Sequence, residues 1–149
     1  MRKMNGLKLA VTAAAVSALL FGGATVANAA DYQSGTTGYL GVSNPSRAAF
    51  AQYFGTNTYA PAGVALIKAS DTKSDGNSAL TVLQKKQSGK WVEVSRVIAS
   101  KGINSTMQRG VSRPKKGTQL RVTSCVINMS APAAKRVGFN CQSNTFYAP

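Results

Sequence analysis

Four carboxylates and no histidine are what this 149-residue chain offers to acid-base chemistry. Without an imidazole neither a Ser-His-Asp triad nor a Cys-His pair can be assembled, and most zinc sites lose their usual nitrogen ligand. The acids are Asp31, Asp71, Asp75 and Glu93, and only Asp71 and Asp75 are close in sequence, in DTKSDGN. A glycosidase would have to draw its paired acid and base from this set. The spacing of Asp71 and Asp75 also departs from a calcium-binding EF-hand loop, so the segment reads as a polar loop between strands. Two Ser-x-x-Lys matches occur, Ser70 to Lys73 and Ser112 to Lys115. In penicillin-binding enzymes that serine opens a buried helix of a much larger domain, whereas both matches here fall in turn-like sequence. No catalytic residue, metal ligand or cofactor is assigned, and a non-enzymatic protein is expected.

Cations are the abundant chemical group. The stretch SRPKKGTQLRVTSC carries Arg113, Lys115, Lys116 and Arg121 before it reaches Cys125, and QKKQSGK carries Lys85, Lys86 and Lys90. The whole chain has a formal charge of +14. Arg2, Lys3 and Lys8 precede an apolar run from Leu9 to Phe21 and the small-residue site Ala27-Asn28-Ala29, the order of a secretory signal peptide over residues 1–29. The run is too short to span a bilayer, so export and release into the medium, without a transmembrane anchor, are expected. Removing the three leader cations from 18 Lys and Arg leaves 15 against four acids, a mature charge of +11. Such a charge informs on anionic partners and solubility rather than on fold.

The elements that must hold these cations follow from pattern. Residues 30–62 are rich in Gly, Ser, Thr and aromatics, and hold Tyr32, Tyr39, Phe50, Tyr53, Phe54 and Tyr59. Within them SNPSRAAFAQYFG predicts a short helix, capped by Ser43 or Asn44, with Pro45 in the first turn and Gly55 as the left-handed stop. Phe50, Tyr53 and Phe54 would then share one face, docked on the main domain or exposed as an aromatic platform. From residue 63 to 149 the pattern is β: Val64 to Ala69, Ala79 to Lys86, Trp91 to Ala99, Thr106 to Val111, Thr118 to Met129 and Lys135 to Tyr147, separated by turn-rich segments. The expected fold is all-β, an antiparallel sandwich with a short N-terminal helical segment.

Two hairpins can be registered. Centring the first on Ser88-Gly89 sets Leu83 opposite Val94, Leu80 opposite Val97 and Lys86 opposite Trp91, where a lysine stem covers an indole. Centring the second on Ala133 sets Cys125 opposite Cys141, Ile127 opposite Phe139 and Met129 opposite Val137, one apolar face throughout. Two cysteines in an exported chain normally pair, so a Cys125–Cys141 disulfide is expected. In an antiparallel chain whose strands each cross the domain, consecutive loops alternate between its ends. QKKQSGK and SRPKKG should therefore share one end, gathering Lys85, Lys86, Lys90, Arg113, Lys115 and Lys116 as an anion-binding pole, with Asp71 and Asp75 at the other. Cations in turns are often merely solvated; that reading stands beside the functional one.

The segment ALTVLQKKQSGKWVEVSRV, followed by SKGINS and KKGTQLRVT, resembles the central hairpin and following strand of bacterial immunoglobulin-like sandwich modules of secreted proteins. The likeness covers Ala79 to Val122 and rests on packing features, so it implies a sandwich and transfers no functional residue. A disulfide inside the last hairpin departs from the inter-sheet bridge of antibody domains.

The function expected from these features is that of a small secreted interaction module whose basic pole binds an anionic polymer or cell-envelope surface. The rival is a secreted antagonist with a protein partner, either bacteriocin-like or a protease inhibitor presenting the SAPAAKR tip as an extended loop.

Overall fold

The computed structural model describes residues 32–33, 39–55 and 61–149; the leader expected over residues 1–29 lies outside them. The described residues form nine strands, β1 (Tyr32–Gln33), β2 (Tyr39–Ser43), β3 (Ala49–Phe54), β4 (Val64–Asp71), β5 (Ser78–Gln87), β6 (Lys90–Ala99), β7 (Thr106–Ser112), β8 (Gln119–Ile127) and β9 (Gly138–Tyr147), with one 3-10 turn at Ala133–Lys135. They make two antiparallel sheets, of order β1-β2-β3-β4-β7 and β6-β5-β8-β9. Strict alternation builds the layers: along β3 and β4 every second residue is buried, the period-two pattern of a strand with one face on the core. Leu40, Val42, Tyr53 and Ile67 from the first sheet meet Leu83, Val97, Leu120, Val122 and Phe146 from the second in a single core. The Tyr53 and Phe146 rings bridge it with centroids 5.0 Å apart and planes tilted by 52°. Two buried hydroxyls tie the sheets as well, Thr81 Oγ1 donating to the Lys68 carbonyl at 2.9 Å and Ser124 Oγ to the Ala49 carbonyl at 3.0 Å.

The helix expected from Asn44 to Gly55 is a hairpin instead. β2 and β3 pair from Tyr39↔Phe54 to Ser43↔Phe50, and β3 continues the sheet onto β4. The physical reason lies in AFAQYF, where Ala49, Ala51 and Tyr53 alternate inward against Phe50, Gln52 and Phe54, so a strand buries three residues that a helix would spread around its circumference. Asn44 keeps the chemistry of a cap and changes its use. Its Oδ1 accepts the Ala48 and Ala49 backbone N–H groups at 2.8 and 2.9 Å, which folds the turn back into β3. The single aromatic face dissolves accordingly, Tyr53 entering the core while Phe50 and Phe54 lie on the other side of the strand.

Both predicted hairpins form, each with a one-residue slip. Lys86 faces Trp91, but a bulge after Leu83 sets Leu83 opposite Ser95 and Leu80 opposite Ile98, leaving Val94 as the extra residue. In the last hairpin the slip falls between Ser124 and Val126, so Phe139 pairs with Val126 and Ile127 with Gly138; Asn140 takes the positive φ of 49° that such a bulge uses. Val137 and Phe139 consequently leave the predicted apolar face and are exposed. Cys125 and Cys141 nevertheless bond, with Cα atoms 4.2 Å apart, beside Leu80 and Ile127 in a second small apolar cluster on the outer face. Gly138 sits in close contact here: a Cβ would lie 2.8 Å from Leu80 Cδ2 and 3.1 Å from Cys125 Cβ, so a larger residue would have to displace them. Replacing both cysteines with serine is expected to lower unfolding free energy by about 3 kcal/mol on the chain-entropy argument, measured by denaturant titration; an unchanged midpoint would contradict a structural staple.

Candidate functional site

The predicted basic turns meet at one end of the domain. The end of β5, the bulge of β6 and the β7–β8 turn line a groove of about 400 Å³ whose walls are Lys85, Lys86, Gln87, Val94, Ser112, Arg113, Pro114, Lys115 and Thr118. Lys85, Lys86, Arg113 and Lys115, four of the six predicted cations, border this cleft, but successive strand residues alternate in face and the Lys86 ammonium turns to the Trp91 ring on the other face of the sheet. Lys90 opens β6 opposite Gln87 at the exposed hairpin tip, and Lys116 lies exposed in the turn; neither lines the groove. The bulge is what supplies the apolar floor, since the displaced Val94 packs onto the core beneath the cations.

The turn that carries Arg113 and Lys115 is fixed by contacts the sequence pattern did not reveal. Arg113 N–H donates to the Gly63 carbonyl at 2.7 Å, and Thr118 N–H closes a turn on the Lys115 carbonyl at 3.0 Å, with Gly117 at φ 79°. Ala148 then clamps the turn, accepting from Gly117 N–H at 2.9 Å and donating to the Thr118 carbonyl at 2.8 Å. Pro149 packs beside Gly55 so closely that a Cβ there would meet its ring at 3.0 Å. Ala148 therefore fixes the turn that carries these cations, a role that residue types alone do not signal.

On the adjoining sheet face Arg121 Cζ sits 4.5 Å from the Trp91 ring centroid and Lys86 Nζ 5.6 Å from it, while Arg121 Nε donates to Gln84 Oε1 at 2.8 Å. The indole holds two cations beside the groove by its ring quadrupole. The nearest acid along β6, Glu93, is committed to a two-pronged pair with Arg96 at 2.7 and 2.6 Å. The Arg96 hydrogen bonds hold the Glu93 carboxyl below its ordinary range, so it stays ionised and neutralised and does not offset the groove lysines. Among the described residues no carboxylate lines the groove.

Asp71 ends β4 and Asp75 lies in the loop that follows it, at the opposite end. Asp71 is buried, with Oδ1 accepting the Lys73 N–H at 3.2 Å, and Asp75 Oδ1 accepts the Asn77 N–H at 2.9 Å. Among the described residues no group of three or more His, Cys, Asp or Glu is placed to hold a metal ion. Ser70 Oγ shares a hydrogen bond across the β4–β7 pair with Thr106 Oγ1 at 3.3 Å, and Lys73 Nζ reaches the Ser46 carbonyl in another loop, so the two members of this Ser-x-x-Lys match are spent on separate structural contacts. The SAPAAKR tip is not extended: Ala133–Lys135 is a 3-10 turn, and Arg136 Nε folds back to the Ala131 carbonyl at 2.9 Å. Pro132 and two alanines favour that compact turn over a strand-like loop.

Under the groove, burial pushes the Tyr53 phenol up to about 12, against a smaller opposing pull from the Arg113 charge; its Oη has no hydrogen-bond partner among the described residues. The unfolded phenol ionises near its ordinary value of about 10. Between these values the unfolded state has released a proton that the folded state keeps, so stability is fully present below pH ~10 and falls as pH rises toward ~12. Tyr53→Phe is expected to be neutral to within about 0.5 kcal/mol at pH 7 and to soften that alkaline decline in thermal melts. An equal decline in both proteins would refute the assignment.

No protein-family model matches the chain, and no curated protein or solved structure matches it. Among the described residues no helix is long and apolar enough to cross a membrane.

Proposed function

We propose that this chain is a small secreted, non-enzymatic module that holds an anionic polymer of a cell envelope in the groove between the β5–β6 hairpin and the β7–β8 turn. One observation carries the reading: Lys85, Arg113 and Lys115 line a single cleft with no carboxylate among its described wall residues. Cations that were only solvated would gain nothing from convergence, because mutual repulsion opposes it. The fold that accompanies this reading is immunoglobulin-like. It is supported by β4 and β7 pairing as strands B and E do, and by β5, β8 and β9 lying adjacent as C, F and G do. Secretion is supported by the leader pattern and by a disulfide that an oxidising compartment favours. The protease-inhibitor reading loses its extended loop to the 3-10 turn at Ala133–Lys135.

The test is a salt series. Binding of the exported, disulfide-bonded protein to teichoic acid should weaken with a log-log slope of about −2 if three cations meet three phosphates along a flexible chain. A slope near zero, or no binding at low salt, would sink the proposal.

A further inference from the structure

The end of the domain opposite the groove concentrates three of the large apolar side chains that the fold leaves exposed: Ile103 at 51 %, Val137 at 71 % and Phe139 at 47 %. Register places them at one level. Ala79 pairs with Ala99 and with Val126, and Val126 pairs with Phe139, so the β6–β7 loop that carries Ile103 and the β8–β9 connection that carries Val137 leave the same end of the four-stranded sheet. Ile103 also shares a cleft of about 280 Å³ with Met129 and the β4–β5 loop.

Fixed turns hold these side chains out. Ile103 stands between Gly102 and Asn104, at φ 86° and 64°, in a turn closed by Ser105 N–H on the Gly102 carbonyl and pinned by Asn104 N–H on the Asp71 carbonyl. Val137 follows the 3-10 turn, with its N–H on the Lys135 carbonyl, and precedes Gly138, which is wedged against Leu80 and Cys125. Lys101, Lys135 and Arg136 flank them, all exposed, and Lys73 lies in the neighbouring loop. Against these four cations stand Asp71, which is buried, and Asp75, which is exposed.

We infer that this loop end docks on an anionic lipid surface, with Ile103 and Val137 entering the boundary between headgroups and acyl chains while Lys101, Lys135 and Arg136 meet lipid phosphates. Apolar tips set among cations have the composition that partitions to such an interface, since burial of apolar area and attraction to anionic lipid add. The geometry favours a membrane over a protein pocket. The two tips leave opposite edge strands, three strand spacings or roughly 14 Å apart, and a planar, deformable surface can take both at once. This inference is independent of the groove.

The test uses the exported, disulfide-bonded chain carrying Lys85→Glu and Lys115→Glu, so that groove binding cannot contribute. It should sediment with phosphatidylglycerol-containing vesicles at about 0.15 M salt and not with phosphatidylcholine alone. Adding Ile103→Asp and Val137→Asp, both at exposed positions, should reduce partitioning at least about tenfold while the melting temperature stays unchanged. Depth is read with brominated lipids. Trp91, the single tryptophan, lies eight residues from Ala99 along β6, roughly 25 Å away, and should stay unquenched. An indole introduced by Val137→Trp, or by Ile103→Trp should that fold better, should be quenched. Failure to bind vesicles, or binding without quenching of the introduced indole, overturns the inference; the second outcome would mean adsorption by net charge alone.

Discussion

Reversing two charges, Lys85→Glu with Lys115→Glu, is expected to reduce affinity for an acidic polymer at least about tenfold at low salt, because two attractive contacts become repulsive within one cleft. Stability should change by less than about 1 kcal/mol, since Lys115 is exposed and Lys85 only half-buried at the margin of β5. Equilibrium binding and thermal melts on the same samples separate the two effects. The comparison belongs with Lys101→Glu at the far end, an exposed loop cation. Lys73 is a poor control, because its ammonium holds the Ser46 carbonyl and its backbone N–H meets Asp71. Affinity losses of equal size from Lys101→Glu and from a single groove reversal would reduce the groove to diffuse net-charge attraction.

The largest loss of stability is expected from Asn44→Ala. Asn44 is almost completely buried, and its Oδ1 satisfies two N–H groups while its Nδ2 donates to Ser46 Oγ at 2.9 Å and to the Asn140 carbonyl at 3.2 Å. The last bond reaches the bulge of β9 beside Cys141. Truncation strands two buried backbone donors, each costing about 1–3 kcal/mol, so an overall loss of about 3–4 kcal/mol in denaturant titration is expected. Because the turn joins β2 to β3, hydrogen exchange of the Ala48 and Ala49 amides should rise more than that of β8. A loss below about 1 kcal/mol would mean that water replaces the side chain and that the hairpin is held by its strands alone.

Alternation and turn chemistry made much of the fold legible from residue types. Six of the nine strands among the described residues, from β4 to β9, lie within a few residues of where β-type runs separated by turn-rich segments placed them, because strand propensity and turn preference are local properties. The Lys86–Trp91 pairing was readable because a two-residue turn defines its register, and the Cys125–Cys141 bond because two cysteines in an exported chain normally pair, whatever the slip between their strands. The meeting of QKKQSGK with SRPKKG followed from connectivity alone, since strands that cross the domain return their loops to alternate ends.

Tertiary structure decided what local pattern leaves degenerate. The segment from Asn44 to Gly55 carries a legitimate helix signature, and it became a strand because β4 offered a pairing edge and the core a place for Tyr53; propensity yields when a neighbouring strand satisfies the backbone. The two bulges could not be read because an extra residue alters the register without altering composition, yet they put Val94 under the groove and expel Val137 and Phe139 to the surface. The clamp of Ala148 on the β7–β8 turn joins residues about 30 positions apart along the chain, and no periodicity encodes such a contact. Charge and strand pattern are written in the sequence one residue at a time; which cations share a cleft, and which apolar side chains are left outside, depend on how the two sheets close on each other.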